Sequence, residues 1–271
     1  LTGRSSVALC LSLLLLACAA PVPNGGRGAV SWTPVQDIRT EEPVTKVCYA
    51  PMQHALFALC PQSGTIQVHV DGARTNPLGG RGLGSTEFSG LADIALGPDG
   101  KLLALDRLRK QIKRFSYRGE LLATIELDDF ADPRLLAAAG NANLYIYDAV
   151  RRDVTILTDP PAATPYRFGR FQLESPDLLA CNNDYVWAWD GGQTVIFTAM
   201  GQFVATVSGR LQLDAHNRRY RLEGQWVQPL PEGEPLALSA TPLQRFWIHD
   251  GYMTLQSENL LRLGRLEDAP Q

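Results

Sequence analysis

Three aspartates set the strongest constraint on the fold. Asp106, Asp148 and Asp190 recur at an interval of 42 residues. Each closes a short apolar run ("KLLALD", "NLYIYD", "YVWAWD") and precedes a turn and a second apolar run ("QIKRF", "DVTIL", "QTVIF"). Runs of five or six apolar-rich residues bounded by Gly, Asp and Asn read as strands, not helices. A repeat of 40–50 residues with four short strands per unit is the pattern of a β-propeller. The frequent Gly (24) and Pro (18), spread along the chain, suit the many tight turns such an all-β fold needs.

Residues 88–127 form the clearest unit, "FSGLADIALGPDGKLLALDRLRKQIKRFSYRGELLATIEL". Its Pro-Asp-Gly and Arg-Gly turns separate four strands. This stretch resembles an NHL-type blade, well over 79–127, fairly over 128–208 and weakly elsewhere. Further units read at 43–78, 130–170, 172–208, "RLQLDAHNRRYRLEGQWVQPL" and "PLALSATPLQRFWIHDGYMTLQSENLLRLGRL". The expectation is six four-stranded NHL-like blades over residues 30–271. The strand "AVSWTPVQDI" joins the last blade to close the ring. A β-sandwich or an incomplete propeller is the other architecture this pattern allows.

The N-terminus gives an address. Val7–Ala17 is an apolar stretch behind Arg4, too short to span a bilayer and of signal-peptide length. It ends Leu15-Leu16-Ala17-Cys18, which resembles the bacterial lipobox. The resemblance implies removal of residues 1–17 and lipidation of Cys18, with covalent diacylglycerol and acyl chains and no other cofactor. Residues 18–29 then form a flexible tether. Together with the blades, the chain resembles six-bladed propeller lipoproteins common in Bacteroidota and their relatives. The implied location is the cell envelope, anchored in the outer membrane and facing the periplasm.

Cys48 and Cys60 flank a turn at 51–54. In a hairpin symmetric about His54 they lie opposite each other, near disulfide reach. They either form a bond, which an oxidising periplasm permits, or remain two buried thiols. Cys181 is left single, and no Cys/His grouping has zinc spacing.

Chemistry is harder to find. The net charge of −3 offers no general grip on nucleic acid. Repetition of Asp106, Asp148 and Asp190 in every clear unit points to turn capping. Asn182, Asn183, Asp184, Asp214 and His216 invite comparison with sugar-lactone hydrolases of six-bladed form, which bind a calcium-like metal. Yet these residues occupy turn positions, and no metal site is assigned. One basic concentration stands out: Arg107, Arg109, Lys110, Lys113, Arg114 and Arg118. It reads as a solvated rim, or as a patch for an acidic protein or lipid headgroups. With no catalytic constellation, the expectation is a non-catalytic interaction scaffold or accessory subunit with envelope protein partners. The alternative is a lactonase-like propeller enzyme or a small-ligand-binding lipoprotein.

Overall fold

A computed structural model describes residues 30–158, 165–231, 234–236 and 241–268. Residues 1–29 lie outside the described residues, and with them Cys18, the signal segment and the tether. The chain starts with β1 (Val30–Arg39) and proceeds blade by blade. Blade 1 comprises β2 (Lys46–Ala50), β3 (Ala55–Cys60) and β4 (Thr65–Val70), with a split outer strand, β5 (Ala73–Arg74) and β6 (Leu78–Gly79). Blade 2 is β7 (Leu91–Leu96), β8 (Leu102–Asp106), β9 (Gln111–Phe115) and β10 (Leu121–Glu126). Blade 3 is β11 (Pro133–Ala138), β12 (Leu144–Asp148), β13 (Asp153–Leu157) and β14 (Tyr166–Phe168). Blade 4 is β15 (Leu178–Cys181), β16 (Tyr185–Asp190), β17 (Gln193–Thr198) and β18 (Phe203–Ser208). Blade 5 is compact: β19 (Leu211–Leu213), β20 (Arg219–Glu223) and β21 (Trp226–Leu230). Blade 6 is β22 (Arg245–His249), β23 (Tyr252–Ser257) and β24 (Leu260–Asp268), and β1 completes it as the outer strand.

The six-bladed propeller is therefore the fold, with three strands in the fifth blade among the described residues. Ring closure follows the sequence expectation. β1 pairs antiparallel with β24 from Val30–Asp268 to Arg39–Leu260, so the start of the ring is tied to its end.

Strand alternation explains where the core lies. Side chains on successive residues face opposite blades, and the buried apolar residues fall into six clusters, one at each blade interface. The same alternation corrects the disulfide expectation. The turn Pro51–Gln53 is a 3₁₀ turn, and Ala50 pairs with Ala55, so Cys48 faces Phe57 and not Cys60. Cys48 packs between blades 1 and 2, whereas Cys60 packs between blades 6 and 1. Both are free, on opposite faces of one sheet.

The repeated aspartates act as latches. Asp106 accepts backbone N–H bonds from Ser89, Gly90 and Arg109. Asp148 accepts four, from Ala131, Asp132, Val150 and Arg151, between 2.6 and 3.3 Å. Asp190 accepts from Glu174 and Ser175. Each carboxylate joins the end of its blade's second strand to the segment leading into the inner strand. In blade 6 Ser257 does the same through Pro242. We call this side of the ring the latch face, and the side where inner strands turn into second strands the turn face. Removing the buried Asp148 carboxylate leaves four N–H donors short of their acceptor. Asp148→Ala is therefore expected to lower unfolding free energy by about 3 kcal/mol, with Asp148→Asn intermediate, as read by chemical denaturation.

Candidate functional site

The six inner strands surround a central channel, and its turn-face mouth opens into a cavity of about 520 Å³. Every blade lends it a turn: Ala50–Gln53, Leu96–Gly100, Ala138–Gly140, Cys181–Asn183, Leu213–Ala215 and Ile248–Asp250. These turns are locked to one another. Gln53 lies against Gly100 so closely that a Cβ there would come within 2.9 Å of its Oε1. Gly140 N–H donates to Asn183 Oδ1, and Asn182 Nδ2 donates to the Asp214 carbonyl and to Asn217 Oδ1. The lining mixes apolar residues with Asp99, Asp214, Asp250 and His249, and contains no Lys or Arg.

Deeper in, the channel narrows to a void of about 50 Å³ beside Lys46, Cys48, Cys181, Gln212 and His249. A buried cation crosses it. Lys46 Nζ donates to Asp93 Oδ2 at 2.9 Å, to the Leu136 carbonyl at 2.7 Å and to the Leu179 carbonyl at 3.3 Å. One side chain thus ties blades 1, 2, 3 and 4. Asp93 also accepts from the Leu136 and Ile94 N–H groups. Burial raises the Asp93 carboxyl, against the pull of Lys46 and those two N–H groups. Gln212 continues the ring, accepting from Trp187 Nε1 and donating to the Phe246 carbonyl.

His249, at the end of β22, stands between the mouth and the void. Its Nε2 lies 3.0 Å from the Val47 carbonyl. A carbonyl only accepts, so Nε2 carries the proton and Nδ1 of the neutral ring has a free lone pair. Burial pushes the imidazole below its ordinary value, although Val47 and Asp250 favour the charged form; Lys46 adds to the lowering. At neutral pH His249 is therefore a proton acceptor. The thiols nearby are not nucleophiles: burial pushes Cys48 and Cys181 up to about 12.

The other residues singled out from sequence are accounted for. The basic residues do not form one patch. Arg107 pairs with Asp132, while Arg109 donates to Ser89 Oγ and to the Gly82 and Gly84 carbonyls. Lys113 is 2% exposed and caps the Ser85 and Glu87 carbonyls. Arg114 pairs with Asp99, and Arg118 stacks on Tyr117. Arg107, Arg109 and Lys110 sit on the latch face, Arg114 and Arg118 toward the turn face, because a strand separates them. Lys46 and Asp93 carry no spacing signal of their own, and His249 is one of four histidines that stand isolated in the sequence.

The turn residues do not fit a resident metal. Asn182 Oδ1 accepts from the Asp184 and Tyr185 N–H groups, and Asp184 accepts from Asn217. Asp214 is taken by Arg218, Tyr220 and two backbone N–H groups. Among the described residues no three His, Cys, Asp or Glu side chains gather as a metal needs.

No family model matches the sequence, and no curated protein matches it. Solved structures do share the fold. A gluconolactonase from Xanthomonas campestris is similar with TM-score 0.62 at 11% identity, over 91% of this chain and 99% of that one. Virginiamycin B lyase from Staphylococcus aureus is similar with TM-score 0.55 at 12% identity, over 88% and 99%. A catalytically inactive histidine-to-alanine form of that lyase, solved with quinupristin, gives 0.54 at 11%, over 81% and 78%. The likeness is one of fold. These neighbours are enzymes. They overturn the expectation of a non-catalytic interaction module.

The Lys46–Asp93 pair has a testable signature. Lys46→Met strands a buried carboxylate and is expected to cost about 3–5 kcal/mol. Lys46→Met with Asp93→Leu is expected to be less destabilised than either single variant in denaturant titrations, since no charge is then left unpaired.

Proposed function

We propose that this chain is a propeller hydrolase that opens a cyclic ester at the turn-face mouth, with His249 Nδ1 as proton acceptor. The observation that carries this reading is the orientation of His249. Val47 holds the neutral imidazole through Nε2, which leaves the Nδ1 lone pair as the proton acceptor of a ring that lines a cavity to which all six blades contribute. The names of the structural neighbours, a lactonase and a lyase, support bond cleavage as the class of activity.

The step balances with water alone. His249 Nδ1 takes a proton from water as its oxygen adds to the ester carbonyl. The ring C–O bond then breaks, and the leaving alkoxide takes the proton back from the imidazolium. The product is the open hydroxy acid, and the enzyme is regenerated. Amide side chains at the rim, Gln53 and Asn183, supply hydrogen-bond donors suited to a polar ring.

His249→Asn is expected to lower kcat/KM for lactone hydrolysis at least about 100-fold. The base works only when neutral, and burial lowers its titration. The wild-type kcat/KM plateau therefore extends below pH 6.5 and falls only as acid protonates the ring. Wild-type-like activity in His249→Asn, or an acid limb centred above pH 6.5, contradicts the assignment.

We propose further that lipid on Cys18 holds the propeller at the periplasmic side of the outer membrane. The support is the Leu15-Leu16-Ala17-Cys18 sequence behind an apolar segment, since several acyl chains anchor stably where one does not. Labelling cells with a radioactive fatty acid is expected to mark the wild-type chain and not Cys18→Ser; label on both, or on neither, refutes it.

A further inference from the structure

A second cavity, about 780 Å³, adjoins the mouth on the turn face between blades 1 and 2. Met52 and Gln53 line both spaces, so the Pro51–Gln53 turn is a shared ridge and not a barrier between unrelated sites. The two spaces differ in chemistry. The mouth mixes apolar residues with Asp99, Asp214, Asp250 and His249. The groove has an apolar floor of Val68, Val70 and Leu78, with the ring of Tyr117 as a wall. Its shape depends on Gly119, where a Cβ would come within 2.4 Å of Leu78 Cδ2, so the outer turn of blade 2 can close onto blade 1. Met52 at the ridge is 89% exposed, a large apolar side chain with no role in the core.

Charge narrows the ligand further. The mouth lining contains no Lys or Arg, and Asp250 stands exposed beside His249 without an ion pair among the described residues. Asp99 and Asp214 are already neutralised by Lys101 and Arg114, and by Arg218. In the groove Arg118 is stacked on Tyr117 with its Nε on the phenol oxygen, and Asp71 and His54 are the other ionisable groups. Nothing in the mouth compensates a negative charge, and an anionic ligand there meets uncompensated Asp250.

We infer that the substrate is an uncharged cyclic ester bearing an apolar arm of several carbons, the ring seated at His249 and the arm laid over Met52 into the groove between blades 1 and 2. This rests on the reading of His249 as the proton acceptor. It goes beyond that reading in assigning a second subsite and in excluding anionic substrates.

The test uses the whole protein and a series of lactones of one ring size, carrying no arm, alkyl arms of two to eight carbons, or an eight-carbon arm together with a carboxylate on the ring, where it meets Asp250. The corresponding lactams, which resist hydrolysis, report binding by calorimetry. Both kcat/KM for the lactones and affinity for the lactams are expected to rise by about fourfold per methylene until the groove is filled. The ring carboxylate is expected to abolish most of the gain. Met52→Glu is expected to cut the ratio of long-arm to armless kcat/KM at least tenfold. Its exposed position leaves the core intact, as a circular dichroism melt verifies. Turnover that is flat with arm length, or a ratio unchanged in Met52→Glu, overturns this inference while leaving the His249 reading standing. Lactam affinity that rises with arm length while no lactone is hydrolysed supports the groove and overturns the His249 reading. Lactam affinity that is flat overturns the groove directly.

Discussion

The Lys46–Asp93 pair is the interaction on which the centre of the ring depends. A propeller is closed at its circumference by strand pairing, here β1 on β24. At the axis each inner strand ends its sheet with one edge unpaired, and unpaired backbone groups away from water are costly. Lys46 meets that cost in three directions at once, through Asp93 and the Leu136 and Leu179 carbonyls. The remaining blades are joined by Gln212 and by His249 on Val47. The axis is therefore a hydrogen-bonded hub of buried polar groups inside a shell of six apolar interfaces. Such hubs are stabilising only when every member is satisfied.

That rigidity fixes the geometry of the turn face. The loops around the mouth rest on inner strands fixed by the hub and are bolted to each other by Asn182, Asn183 and the Gln53–Gly100 contact. His249 belongs to both systems. The bond that holds blade 6 to blade 1 also selects which of its nitrogens carries the proton. One hydrogen bond thus joins two blades and selects the Nε2–H tautomer, while burial keeps the ring neutral. The latch face is organised differently. There the carboxylates of Asp106, Asp148 and Asp190 are spent on backbone N–H groups.

The fold was legible because its determinants repeat. Asp106, Asp148 and Asp190 mark corresponding strand ends, and the residue type is dictated by the N–H groups each must bind. The closing strand was legible as a segment ahead of the first blade, left over to complete the last one. What failed to read through depended on register or on distant pairing. Cys48 and Cys60 are separated by a turn whose symmetry axis lies between Met52 and Gln53, not at His54, and that offset puts the sulfurs on opposite faces. The basic run from Arg107 to Arg118 spans a whole strand, so it is divided between the two sides of the ring and largely consumed by local partners. Lys46 and Asp93 are ordinary residues 47 positions apart, and only the packing of blade 2 against blade 1 makes them neighbours. His249 looked isolated because its partner is a backbone carbonyl 202 positions away.

The proposed chemistry requires that His249 be neutral, protonated on Nε2 and unprotonated on Nδ1. Histidine-selective ¹⁵N NMR measures this directly. One imidazole is expected to be in the Nε2–H tautomer at neutral pH, to titrate below 6.5 and to be lost in His249→Asn. A His249 signal that is protonated on Nδ1 at neutral pH, or that titrates above 6.5, contradicts it.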